Sequence, residues 1–474
     1  MGDGERAVRG TDVRDTRITP VTDRREAFAA WADRIGCGEV TTPPAQLRGE
    51  ARRIHVRRTL LEDHTFRIRH RPDGAALKFR KLAGSPFSFF RGTALLFYRD
   101  LAGLDGHLPT VLAVGDVHPE NFGVMPNRDG APFFGVNDFD EAGFAPFSWD
   151  LRRGAVGFWM AAREHGLPKK QRRKVVRRFL RGYIAGLRGF ARDDSEKWRQ
   201  LRLDTSPPLI RDLIEASMTD RREHLDQYVD LDKGEFRPTR KVVPATSRKA
   251  ELQAAIDQYR DRSSVPDEER AGHFQVKDVA VKRFSGTASL GLDRVWVLID
   301  GPTDDPCDDL ILELKQARRS AMDGLAPLRI GGHDGVERVV ESEQIHVVGG
   351  DPYYGCTELD GRPFLVRERS PFKDEIDLED LDFGEWKEYA EICGGVVAQA
   401  HARSDEDTGV LEGNAEEAIL GSVSHAVMVD DLVRFAEETA KRHKRDWKAF
   451  RKDHALGAFA DVRVAPARDT EHGG

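Results

Sequence analysis

The chemistry in this chain gathers in one acidic stretch between Val114 and Asp150: V-G-D-V-H-P-E-N-F-G-V, then A-P-F-F-G-V-N-D-F-D-E-A, then F-S-W-D-L. Asp116, His118, Asn121, Asp138, Asp140 and Glu141 fall at loop positions there, flanked by apolar, strand-like runs. Carboxylates and an amide at the ends of rigid strands are hard oxygen ligands. Mg²⁺ takes such ligands and fills its other octahedral positions with water and phosphate oxygens. The stretch predicts a metal-dependent phosphate site on a scaffold of strand, acidic loop, strand, acidic loop. Asp and Asn are also common turn formers, so one such loop alone is more often two ordinary turns than a catalytic loop. The whole constellation argues against that reading.

Asp116 and Asn121 stand five residues apart, the D-x-x-x-x-N spacing of a kinase catalytic loop, in which the Asp takes the acceptor proton and the Asn binds metal. Asn137-Asp138-Phe139-Asp140 follows an apolar strand, in the place of the second metal-binding Asp. G-D-V-H-P-E-N, then N-D-F-D, then Asp150 in W-D-L resembles the pattern of aminoglycoside-phosphotransferase-like kinases. The resemblance implies Asp116 as catalytic base with His118 beside it, and Asn121, Asp138 and Asp140 as Mg²⁺ ligands. Orienting the loop and taking part in the chemistry both remain open for His118.

At 474 residues the chain is too long for one small core and predicts two or three lobes. Charged residues make up 33% of it, with both signs dense, a net charge of -7 and a pI near 6.1, so no bias toward nucleic acid is expected. Cys37, Cys307, Cys356 and Cys393 lack C-x-x-C spacing, which suggests neither a zinc site nor a disulfide framework and fits a reducing cytoplasm. The first residues have no apolar signal-like core, and no stretch approaches the roughly 18 apolar residues of a membrane span. A soluble, cytoplasmic protein without a membrane partner is expected; the oligomeric state is not legible.

Residues 1 to about 25 read as a charged, Gly-rich arm, and Arg25 to Leu61 as short helices broken at Pro43-Pro44. Ser85-Pro86 starts a further helix with an aromatic face, which Arg91 interrupts. That guanidinium either snorkels to the surface or waits for an anionic substrate or phosphate. Asp150 is placed to cap a helix through Glu164, followed by a basic helix from Lys169 to Phe190 whose charges read as a solvated face. Asp193 to Arg270 reads as mostly helical, with a loop from Asp232 to Pro244.

From Phe274 the character changes to strands. Gly286-Thr-Ala-Ser-Leu-Gly291 lies between two of them and has the place of a phosphate-covering loop, in which Gly286, Ser289 and Gly291 would approach nucleotide; a plain hairpin turn is the competing reading. Lys315 on the next strand stands where kinases keep the lysine that grips the α- and β-phosphates. The following helix offers Glu337, Glu341 and Glu343 as its ion-pair partner, and Glu341 is chosen. Glu368-Arg369-Ser370 has the place of a hinge pairing its backbone with adenine. Trp386 to Arg403 is a helix with one apolar side.

The kinase parts thus stand in rotated order, which a circular permutation explains if the old termini were neighbours on the surface. The motifs S-P-F-S-F-F-R-G, G-D-V-H-P-E-N-F-G, N-D-F-D-E-A, W-D-L-R-R, V-K-D-V-A, G-T-A-S-L-G-L, L-K-Q-A and Y-A-E-I-C-G-G-V-V-A-Q-A-H-A-R-S also resemble, in one order, the bacterial domain-of-unknown-function 2252 family. Ala288 and Gln316 depart from the expected glycine loop and L-K-E-A. Together the resemblances imply an α+β, two-lobed, circularly permuted protein-kinase-like fold with a mostly helical large lobe and a small antiparallel-sheet lobe. The expected divisions are 1–70, arm and helical extension; 71–270, catalytic and metal loops; 271–372, nucleotide-binding sheet; 373–455, the rest of the helical lobe; and 456–474, a tail. The expected function is phosphotransfer from ATP with Mg²⁺ to an unidentified small acceptor. A kinase-like nucleotide-binding module or nucleotidyl transferase, and a metallophosphoesterase, are the alternatives.

Overall fold

Alternation governs the larger sheet. In the strand Leu310–Gln316, Leu310, Leu312 and Leu314 pack on one face, against Leu252, Ile256 and Tyr259 of the helix Lys249–Arg262. The two-residue period turns Ile311, Glu313 and Lys315 to the other face. The sheet is antiparallel, in the order Gly355–Leu359, Arg362–Glu368, Leu310–Gln316, Arg294–Ile299, Val276–Lys282, Val242–Pro244. Its register sets Lys315 opposite Arg294 and Leu365, and Glu313 opposite Trp296 and Arg367. On the second face Trp296, Leu298 and Ile311 are buried against Leu225, Val229 and Phe236. These positions come from a computed structural model, which describes residues 19–20, 24–39, 41–262, 272–283, 290–303, 305–327, 335–372, 374–461 and 463–464.

The acidic stretch folds into two antiparallel ribbons, Thr110–Ala113 with Gly143–Pro146 and Phe122–Pro126 with Pro132–Val136. They rest on the main core, built with the helices Ser148–Glu164, Lys169–Asp193, Phe383–Ala402 and His425–Ala455. The second and third of these helices meet backbone to backbone, since a Cβ on Gly182 or Gly394 would overlap the carbonyls of Glu391 or Phe179. Asp382 and Glu385 close a capping box at the start of Phe383–Ala402, which fixes where that helix begins. The basic face of Lys169–Asp193 meets acids of its neighbours: Arg173 reaches the buried Glu437, and Arg178 pairs with Glu391 in an exposed bridge worth little.

The chain is an α+β protein, about half helical, with antiparallel sheets. Ser85 caps the helix Pro86–Arg91 by accepting the Ser88 N–H at 3.0 Å. Two expectations need correction. Asp150 lies inside the first turn of Ser148–Glu164 and spends its carboxylate on another segment, so it is not the cap. The stretch expected as a loop from Asp232 to Pro244 holds half of a small hairpin, Val229–Asp230 with Glu235–Phe236, and ends in the sheet's edge strand, where Pro244 is tolerated because no partner needs its missing N–H. No helix among the described residues is long and apolar enough to cross a membrane, and all four cysteines are free. Most of the expected N-terminal arm lies outside the described residues.

Candidate functional site

Asp116 is held in an unusual backbone. Its φ is +44°, after Gly115 at +71°, and a side chain in the left-handed region costs about 1–3 kcal/mol unless its surroundings impose it. Here they do. The Asp150 carboxylate, itself fully buried, accepts the N–H groups of Val114 at 2.7 Å and Gly115 at 3.0 Å and contacts His401 Nε2 at 3.0 Å, while His401 Nδ1 meets the Tyr183 hydroxyl at 2.8 Å. The Tyr98 hydroxyl accepts the Asp116 N–H at 2.9 Å. Gly154 and Gly157 let the helix beneath come close, because a Cβ at Gly157 would stand 2.9 Å from that of His118.

The Asp116 carboxylate receives Arg153 Nε at 2.8 Å and Nη2 at 2.5 Å, and that guanidinium stacks 3.6 Å over the Phe90 ring. Burial lifts the Asp116 carboxyl above its ordinary range, although Arg153 and Arg91 pull it down. A carboxylate so lifted is a better proton acceptor near neutral pH. His118 Nε2 is 3.9 Å from Asp116, beyond a hydrogen bond. Burial, then Arg91 and Arg153, keeps that imidazole neutral, its pKa well below the usual value.

The second acidic loop meets the sheet. Lys315 Nζ stands 3.4 Å from both Asp138 oxygens and 2.5 Å from Asp140, although 177 residues separate Lys315 from Asp138. Lys315 is 3% exposed, whereas the Asp138 side chain is 36% exposed and open to a ligand. Burial pushes the Asp138 carboxyl up, but Lys315, Arg367 and the Asp140 amide outweigh it and hold it below the ordinary carboxylate range. Asn121 Nδ2 donates to the Asp138 carbonyl at 3.2 Å, which ties the two acidic loops together. Among the described residues no group of three or more His, Cys, Asp or Glu side chains is placed to hold a metal ion. Mg²⁺ needs no such cage, since it is commonly held by one or two carboxylates plus phosphates and water; Asp138, Asp140 and the Asn121 amide fit that demand.

The exit of the glycine loop is clamped. Gly291, at φ +84°, lies so close to Gly74 of the helix Pro72–Gly84 that a Cβ on Gly74 would stand 2.6 Å from its Cα. Arg67 Nε donates to the Leu290 carbonyl at 2.8 Å, and Arg71 and Arg362 both grip Asp293. Gly286 and Ser289 lie outside the described residues, so of the expected loop contacts only Gly291 is placed. Gly74→Val is expected to cost about 1–3 kcal/mol of stability by overpacking and to shift the loop. A urea titration checks this, and a midpoint equal to wild type would count against the clamp.

Several expected partners are not brought together. Glu341 is exposed on the helix Glu337–His346, and Lys315 pairs with Asp138 and Asp140 instead. That helix serves the site through Arg338, which donates to the carbonyls of Asp140, at 2.8 Å, and Ala142. In the hinge segment the Arg369 N–H donates to the Ile311 carbonyl at 2.7 Å, its own carbonyl meets His224 Nε2 at 2.9 Å, and the Glu368 carboxylate takes Arg221 at 2.5 Å. Both backbone groups of Arg369 thus already have a partner within the protein. Arg91 pairs with Glu120 of the catalytic-type loop, 22% exposed, so it neither snorkels freely nor stands unpaired.

Sequence reasoning missed Arg153, Arg318 and Arg338. Arg153 had a signal, three residues after Asp150 on one helix, a spacing that shares a face. Arg318 bridges Asp63 at 3.1 Å and Glu141, which also accepts the Ala321 N–H; nothing local marked it. Glu343, rather than Glu341, is the buried acid of its helix. Burial, then Asp351, raises it to about 8, although it accepts the Asp351 N–H at 2.9 Å. An acid whose folded pKa exceeds its unfolded value near 4.3 binds its proton more tightly in the native state, so its contribution falls as pH rises from about 4.3 to 8. Glu343→Gln should therefore gain about 1–2 kcal/mol over wild type at pH 8 and little at pH 4. Denaturant midpoints at the two pH values check this; an equal gain at both would contradict it.

Neither the comparison with curated proteins nor that with solved structures gives a match. A family model described as uncharacterized protein conserved in bacteria matches residues 69–453, which include the acidic loops, the six-stranded sheet and the helices that carry them. The chain belongs to that family, DUF2252.

Proposed function

We propose that this protein is an ATP- and Mg²⁺-dependent phosphotransferase with a circularly permuted, kinase-like arrangement, acting on a small-molecule acceptor. The observation that carries the reading is the meeting of Lys315 with Asp138 and Asp140 beside the Asp116 loop. A lysine two strands on from a glycine-containing connection, facing metal-type carboxylates and a D-x-x-x-x-N loop, is the set of parts phosphoryl transfer requires. The consecutive antiparallel strands Val276–Lys282, Arg294–Ile299 and Leu310–Gln316 support it, since they bring Gly291 and Lys315 to one sheet.

In this reading Lys315 would grip the α- and β-phosphates, and Asp138, Asp140 and Asn121 would hold Mg²⁺, which would supply neutralisation of the phosphate charge. Asp116 accepts the acceptor's proton, with Arg153 fixing its orientation. A kinase-shaped nucleotide-binding module is the second reading. The close Arg153 pair favours it, because the guanidinium takes back part of the basicity that burial gives the carboxylate.

Calorimetry of ATP with and without Mg²⁺ tests the proposal. Wild type should bind, Lys315→Ala should lose about tenfold or more in affinity, and Asp138→Asn should lose the Mg²⁺ dependence. Nucleotide binding that neither variant alters would sink it.

A further inference from the structure

The second face of the larger sheet carries an indole with two cations on it. Trp296 stands opposite Ala280 on one neighbouring strand and Glu313 on the other. Lys282, two residues beyond Ala280, and Lys315, two beyond Glu313, share that face through the two-residue period. Lys282 Nζ lies 3.9 Å from the centre of the Trp296 ring, and the Arg369 guanidinium lies 5.5 Å from it. The Tyr228 ring packs edge-on against the same indole at 5.1 Å.

One cation gains from the face of an indole, but two on the same ring repel each other. No carboxylate relieves them. Among the described residues neither Lys282 nor Arg369 has a side-chain ion pair, and Arg369 Nε is buried without a hydrogen-bond partner. The acid that Lys282 senses is Glu313, and its carboxylate is already taken by Arg294 at 3.0 Å, Trp296 Nε1 at 3.1 Å and Arg367 at 3.2 Å. The other charged groups around Lys282 are Arg369, Lys241 and Arg294, all of its own sign. Burial, then Arg369, brings the Lys282 amine down to about 8, the direction a cation short of anions takes. Both side chains belong to half-buried residues, so a ligand can reach them.

We propose that Lys282 and Arg369 hold a phosphate group of a small phosphorylated ligand on this face of the sheet, beside Trp296. A dianion relieves both cations at once, and phosphate suits the pair, since lysine meets it as a point charge and arginine as a planar fork. Neighbouring strands lie about 4.8 Å apart, so the Lys282 backbone is about 10 Å from that of Lys315, two strands away. The subsite is therefore separate from the contact of Lys315 with Asp138 and does not rest on the nucleotide reading.

Equilibrium dialysis of labelled pyrophosphate against the full chain, at low salt with EDTA, tests it. EDTA withholds the divalent metal on which the proposed nucleotide site depends, so the two readings fail separately. One-to-one binding with a Kd below about 1 mM is expected. Lys282→Gln and Arg369→Gln should each weaken it by about tenfold through loss of a charge-assisted partner, while Lys315→Ala, at a distance, leaves it within about threefold. If Arg369→Gln does not fold, Lys282→Gln and Lys315→Ala carry the test. No retained label at up to about 5 mM probe, a weak-binding limit, would overturn the proposal. So would undiminished binding in Lys282→Gln, or a loss in Lys315→Ala as large as in Lys282→Gln, which would put the probe in the Lys315 cleft.

Discussion

Asp116→Asn is expected to keep ATP affinity within a few-fold while removing about 10²–10⁴ of the phosphotransfer rate, the usual worth of a general base. The asymmetry follows from where the carboxylate stands. It belongs to the other acidic loop, near enough to feel the charge of Asp138, and it is bonded to Arg153 rather than to any group proposed to touch nucleotide. In phosphoryl transfer the protein contributes mainly positioning and electrostatics, and the catalytic Asp acts on the acceptor's proton. The Asn side chain keeps the shape and one acceptor oxygen for Arg153 but cannot take the proton. ATP calorimetry beside turnover on an acceptor found by screening cell extract with labelled ATP measures both halves. Should Asp116→Asn match wild type in every assay, and no acceptor be phosphorylated, the protein is a nucleotide-binding module and the enzyme reading fails.

Asp150→Ala is expected to destabilise the fold by about 2–5 kcal/mol, since it strands two buried backbone N–H groups at about 1–3 kcal/mol each. Those groups belong to Val114 and Gly115, and the carboxylate is one of the groups that impose the left-handed turn that aims Asp116, beside the Tyr98 hydroxyl on the Asp116 N–H. His401, fully buried, loses its partner in the same step. Denaturant unfolding followed by circular dichroism measures the loss. A midpoint within about 0.5 kcal/mol of wild type, the range of an ordinary surface change, would show that the loop holds itself. Tyr183→Phe offers a milder companion: it removes the hydroxyl that meets His401 Nδ1 and should cost about 1 kcal/mol.

The sequence by itself determined what depends on neighbours along the chain. Ser85-Pro86 starts a helix because the cap and the first turn lie within four residues, and the Asp382–Glu385 box marks the start of the long helix for the same reason. Alternation in L-I-L-E-L-K-Q fixed that Lys315 faces away from the leucines. The D-x-x-x-x-N spacing placed Asp116 and Asn121 on one turn of chain. Only the tertiary structure decided which distant groups complete the site. Of Glu337, Glu341 and Glu343 in one helix the sequence pointed to Glu341, and the packing of that helix left Glu341 in solvent, buried Glu343, and aimed Arg338 at the acidic loop. Likewise Asp150 looked like a helix cap, yet its carboxylate holds the backbone of a loop 35 residues away. The physical reason is one of range. Caps, turns and periodicity are fixed by local hydrogen bonds and alternation, whereas a buried charge takes whichever partner the packing of other elements leaves within about 3 Å.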